Sequence, residues 1–128
     1  VKKIQIEGRV LNELIYTYVI PSALNYIGKL TSNINGMKSA GVNVGTAQTA
    51  LLEEISEHLD KAKELADRMT DARRKANKME DSREQAVAYF EKVKTSFDEI
   101  RYHVDKLELL VDDELWKLPK YREMLFIR

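Results

Sequence analysis

Cysteine is absent from these 128 residues, which excludes disulfides and thiolate metal sites and is compatible with a reducing compartment. Proline occurs twice and glycine five times, while 44% of residues are hydrophobic and 33% charged. That balance belongs to long helices rather than to a β-sandwich or a disordered tail. No charge of either sign prevails: 21 Lys and Arg meet 21 Asp and Glu, so nothing in the net charge calls for nucleic acid or an anionic membrane surface. No run approaches the roughly 18 apolar residues that a membrane span needs, and the basic-then-apolar pattern of a secretory leader is missing. The expectation is a cytoplasmic chain with no nucleic-acid or membrane partner. At this length one domain with one core is expected, over residues 1–128. Val1 stands first, and the apolar spacing is running by Ile4 with no Ser, Thr, Asp or Asn before it to cap a helix. The segment is therefore expected to be part of a longer protein.

What is present is periodicity. A first helix is predicted over about residues 2–33, with Ile4, Leu11, Leu14, Ile15, Tyr18, Val19, Ala23, Tyr26, Ile27 and Leu30 on one face. Pro21 lacks an amide hydrogen and crowds the carbonyl four residues back, so this helix should kink or split near Val19 and Ile20. From 34 to 46 the pattern stops among Gly36, Gly41 and Gly45, which predicts a loop, and Thr46 or Thr49 can cap the next helix. That second helix, about 47–79, repeats every seven residues through Leu51, Ile55, His58, Ala62, Leu65, Met69, Ala72, Ala76 and Met79. A short turn at 80–82, with Asp81 or Ser82 as cap, makes the third helix its antiparallel neighbour. The third stripe reads Ala86, Phe90, Val93, Phe97, Ile100, Val104, Leu107 and Val111. After Glu114 the pattern breaks, and the apolar tail containing Trp116, Tyr121, Met124, Leu125, Phe126 and Ile127 should fold back on the bundle or dock elsewhere. The fold class expected is all-α: an antiparallel bundle of three long helices, or four if the first splits, each long helix of about 30 residues rising roughly 45 Å.

Few residues invite chemistry. Glu54 and His58 lie one turn apart, and so do Glu99 and His103, but the order is not His-Glu-x-x-His and no third ligand is evident. Gly41 to Thr46 is glycine-rich before a helix, yet it lacks the lysine and the preceding strand of a phosphate loop. Arg73, Arg74, Lys75 and Lys78 are interspersed with acids and carry no aromatic among them, so a solvated helix end is the better reading. Asp112, Asp113 and Glu114 crowd what should be the negative end of the third helix, a local violation that can orient docking. No catalytic, cofactor-binding or metal-binding residue is assigned.

The two ends carry a resemblance. Ile4-Gln-Ile-Glu-Gly-Arg-Val-Leu, then Val19-Ile-Pro-Ser-Ala-Leu-Asn-Tyr26, and at the other end Val111-Asp112, Trp116, Pro119, Tyr121, Leu125 and Phe126, resemble the C-terminal helical region of type III glutamine synthetases. The middle helices are generic heptad-like sequence. The resemblance implies a parent enzyme that joins ammonia to glutamate using ATP and a divalent metal, Mg or Mn, assembled as a large homo-oligomer of stacked rings. Its ligand-binding motifs match no position here, so the resemblance implies a non-catalytic packing and assembly domain. Its partners would be the catalytic domain of the same chain and neighbouring subunits. Tyr16, Asp112, Asp113, Trp116, Tyr121 and Phe126 are the interface candidates, because aromatics dominate interface energetics; for Tyr18 and Tyr26 a place in the bundle's own core is expected. Gly8 should weaken the first turns by roughly 1 kcal/mol relative to alanine. The alternative is a free-standing, coiled-coil-like interaction module.

Overall fold

The computed structural model describes residues 1–117, and the expectations that fall on Tyr121, Phe126 and the rest of the tail lie outside them. Among the described residues there is no strand. Three rods pack antiparallel. The first is α1 (Lys2–Leu14), a π-helical turn (Ile15–Val19) and α2 (Ile20–Ser39); the second is α3 (Thr46–Asn77); the third is α4 (Ser82–Ala88), a second π turn (Tyr89–Lys94) and α5 (Ser96–Leu110). α3 is the centre and touches all the other elements, while α1 also packs against the second π turn.

The seam of α3 is Ile55, Leu59, Ala62, Ala66, Met69 and Ala76, all buried. Ile55, Ala62, Met69 and Ala76 belong to the predicted stripe. Leu59 and Ala66 replace His58 and Leu65 at its centre, and Met79 falls beyond the helix with 38% of its surface exposed. The buried face is broader than one seven-residue seam because a helix with neighbours on two sides must be apolar on both flanks. Leu51, Leu65 and Ala72 pack against the core from the edge.

The first rod bends without breaking. Its core line, Ile15, Val19, Ala23, advances by four residues twice in succession, and an α-helix of 3.6 residues per turn would let that line drift. The π turn absorbs the excess: the Ile20 amide donates to the Ile15 carbonyl, five residues back. It lies directly before Pro21, which has no amide to give to the carbonyl of Thr17. One consequence corrects the expected core, since Tyr18 is swung outward and stands 39% exposed.

The third rod repeats the device, and the predicted stripe is wrong upstream of Val93. Tyr89, Val93 and Phe97 again step by four and are buried, whereas Phe90 is 59% exposed and Ala86 is exposed too. A π turn frees carbonyls of their usual partners, and two hydroxyls take them: Thr95 Oγ1 donates to the Glu91 carbonyl at 2.6 Å and Ser96 Oγ to that of Lys92 at 3.2 Å. Inside the bundle the Tyr89 hydroxyl donates to the side-chain oxygen of Asn77, tying this turn to the end of α3.

The connections are tighter than expected. α2 runs through Ile34 and Gly36 to Ser39, so the loop is only residues 40–45. Its stop is a Schellman cap: Gly41 has φ +76°, its amide donates to the Lys38 carbonyl at 3.1 Å, and the Val42 amide donates to that of Met37 at 2.9 Å. Glycine is needed at that one position because an L side chain is strained there. Gly45, not Thr46 or Thr49, is the N-cap of α3. Asp81 caps α4 as expected, accepting from the Arg83 amide at 3.0 Å.

Gly8 does not sit on a fraying end. It is buried where the first rod crosses the other two, and a Cβ there would meet Val93 Cγ1 at 3.6 Å and Met69 Sδ and Phe97 Cε1 at 3.8 Å. Those are ordinary contact distances, so Gly8→Ala should raise the unfolding free energy in urea by about 0.5–1 kcal/mol. Leucine at the same place should lower it by about 1–3 kcal/mol through overpacking. The π turn makes a second prediction: Tyr89→Ala should cost about 3–5 kcal/mol, while Phe90→Ala should stay within about 0.5 kcal/mol of the parent in the same assay.

Candidate functional site

Past Leu110 the third rod ends, earlier than its sequence pattern suggests, and Val111 turns extended at φ −83°, ψ 143°. The cause is Asp112. Its Oδ1 accepts the Glu114 amide at 3.0 Å and its carbonyl accepts the Leu115 and Trp116 amides, both at 3.0 Å, so it nucleates a new turn. The apparent violation thus dissolves: Asp113 and Glu114 stand at the start of that turn, not on the negative end of α5. Asp112 also faces Lys29 of α2 at 3.7 Å.

This turn returns the chain to the first rod. The Lys117 amide donates to Ser22 Oγ at 3.2 Å, and Ser22 is itself buried. Trp116 is only 7% exposed and belongs to the bundle's own core cluster. One of the interface candidates, it thus packs within the chain's own bundle. Its indole Nε1 is buried with no hydrogen-bond partner among the described residues.

Tyr16, another interface candidate, is at the surface beside α3. Its hydroxyl donates to Asp67, which also accepts from Lys63 Nζ at 2.8 Å, and that ammonium lies 5.9 Å from the Tyr16 ring centroid. The hydrogen bond to Asp67 raises the phenol's pKa, and the Lys63 and Tyr16 hydrogen bonds lower that of Asp67. The phenol therefore stays protonated and the carboxylate ionised around neutrality, which makes this a fixed polar clasp and not an acid–base pair. Beside it lies an open cleft of about 420 Å³ lined by Asn12, Tyr16, Asp67, Thr70, Asp71 and Arg74. Asn12 Oδ1 and Thr70 Oγ1 are buried there without hydrogen-bond partners among the described residues.

The basic run at the end of α3 is dispersed. Lys75 pairs with Asp71 at 3.1 Å, and Arg73 turns inward with its Nε buried and without a hydrogen-bond partner among the described residues. The glycines of the first loop are spent on the two helix ends described above. The histidines meet across α3 and α5, which the spacing within each helix does not announce: the Nδ1 atoms of His58 and His103 are 2.9 Å apart. Among the described residues no three His, Asp or Glu side chains converge as a metal-ligand set, and no helix is long and apolar enough to cross a membrane.

The family described as the glutamine synthetase C-terminal domain matches residues 1–38. A glutamine synthetase of Bacteroides fragilis (strain YCH46) is 40% identical over 131 aligned residues covering 98% of this chain. A type-3 glutamine synthetase of Dictyostelium discoideum is 24% identical over 132 aligned residues covering 99% of it. The chain spans 18% of the length of each of these curated relatives. The family match falls on the first rod, where Gly8, the π turn and Pro21 set its course, and the relatives carry the likeness through the remaining two. By these matches the chain is the counterpart of a C-terminal segment of glutamine synthetases, with residues 1–38 matching that family's C-terminal domain.

Proposed function

We propose that this chain is one helical-bundle domain, residues 1–128, of a type III glutamine synthetase, and that it serves packing and oligomer assembly without carrying out chemistry. The observation that bears the reading is the alignment of 98% and 99% of the chain with a stretch amounting to 18% of two glutamine synthetases. The type III assignment rests on the name of the Dictyostelium relative and on the terminal residues that resemble that family. In the parent, ATP and a divalent metal, Mg or Mn, would be held by residues outside these 128, for the ligation of ammonia to glutamate in the cytoplasm. The partners of this domain would be the catalytic part of its own chain and neighbouring subunits.

The physical support is the nature of the side chains. Fixed ion pairs line the exposed faces, including Arg68 with Glu64 at 2.6 Å and Lys63 with Asp67 at 2.8 Å. Rods whose greasy side chains zip against one another give a stiff body suited to holding other domains apart or together. Tyr16, Asp112, Asp113 and Trp116 are the candidates for that contact within the described residues, and the same segment occurring inside much longer relatives favours a domain over a free-standing module.

Two measurements test the proposal together. The isolated chain, given glutamate, ammonia, ATP and Mg, should form no glutamine above a no-protein blank. The parent enzyme lacking the corresponding segment should sediment as smaller species than the intact enzyme. Turnover by the chain alone, or an unchanged sedimentation profile after the deletion, would refute it.

A further inference from the structure

The two histidines of the chain meet in a geometry suited to one proton. Their Nδ1 atoms are 2.9 Å apart while the ring centroids are 5.2 Å apart. The difference between those lengths is the two ring radii, so each nitrogen points along the line to the other. That is the alignment of an N–H···N hydrogen bond, in which one Nδ1 donates and the other accepts. A shared metal ion would need both nitrogens aimed at a third point, off that line. The pair is closed to a second proton at the contact: two N–H groups would then face each other at hydrogen-bond distance, both bearing imidazolium charge.

The surroundings give that event a mechanical consequence. His58 lies one turn from Ile55 and Ala62 on α3, and His103 one turn from Ile100 and Leu107 on α5, and all four of these neighbours are completely buried. The Tyr102 ring stands edge-on to both imidazoles, at 6.1 Å from His58 and 5.0 Å from His103, with Lys106 Nζ 5.6 Å from its own centroid. The charged groups that act on His103 are His58, Lys61 and Glu57 from α3 and Glu99 from α5. The two carboxylates favour the imidazolium, whereas His58 and Lys61 oppose it.

We propose that the His58–His103 contact is a proton-gated latch on the α3–α5 seam, closed while a single proton lies between the facing nitrogens and forced apart when both are protonated. Burial first, and His58 second, hold His103 below its ordinary pKa. The folded state therefore binds fewer protons than the unfolded chain just below pH 6.5, where a free histidine begins to charge. By linkage the latch's contribution is complete above that pH and is lost as pH falls toward the depressed folded value.

The test is a pH titration of the 128-residue chain by NMR, following the ring C–H signals of its two histidines, with thermal melts at each pH. The His103 midpoint should lie below about 6.5. The melting temperature should be level from pH 8 to 7 and fall between 6.5 and 5. In His58→Gln the His103 midpoint should move up toward its ordinary value, and the fall in melting temperature should shrink, with the part due to burial remaining. If that variant does not fold, the wild-type titration alone decides. A His103 midpoint at or above about 6.5, or one that ignores the His58 substitution, would overturn the latch.

Discussion

Everything in this structure leans on one face of α3. Ile55, Leu59, Ala62, Ala66, Met69 and Ala76 are buried along it, and half of them are alanine. Small side chains let a neighbouring helix come close, and that close approach lets Gly8 of the first rod sit against Met69 while Val93 and Phe97 close over it from the third. α1 is then wedged between α3 and the second π turn, and the returning C-terminal turn seals the start of α2 through Trp116, Ser22 and Lys117. Removing the alanine seam would leave each of the other rods as an amphipathic helix with nothing to cover its apolar stripe, and such helices are marginal alone.

The two π turns are the adjustment this packing requires. The first and third rods must keep an apolar line against α3 across stretches where that line advances by fours. An unbroken α-helix would carry the line off the seam. Each wide turn restores the phase, and each is relieved locally: Pro21 next to the first asks for one fewer donor, and Thr95 with Ser96 after the second supply hydroxyls to exposed carbonyls. The cost is that Tyr18 and Phe90 face outward.

This explains how much could be read from the chain itself. The helix count, the antiparallel order, the Asp81 cap and the downstream half of the third stripe come from spacing and cap chemistry, and the structure has them. The phase upstream of Val93 was not legible, because an extra residue in a wide turn leaves no mark in a sequence whose neighbouring residues, Tyr89 and Phe90, are equally apolar. Gly36 misled for a different reason: within a helix already held by Leu30 and Ile34, its lost propensity of about 1 kcal/mol is too small to stop propagation. At the candidate site the limit is distance along the chain. Asp112 could be seen as anomalous, but its answer lies in a turn it forms itself and in Lys29, and His58 and His103 are 45 residues apart, joined only by the register of α3 against α5. Trp116 lies past the helical stripes, and its packing in the core depends on the return of the chain over Ser22, which spacing does not announce.

Native-state hydrogen exchange addresses the central role of α3 most directly. Amides from Ile55 to Ala76 should be the slowest in the chain and should exchange only through global unfolding, with the same free energy as the urea-induced transition, while those of α4, which buries no residue, should open far more readily. If the α3 amides exchanged as readily as those of α4, or if the slowest set lay in α5 alone, the bundle would not be built around that seam.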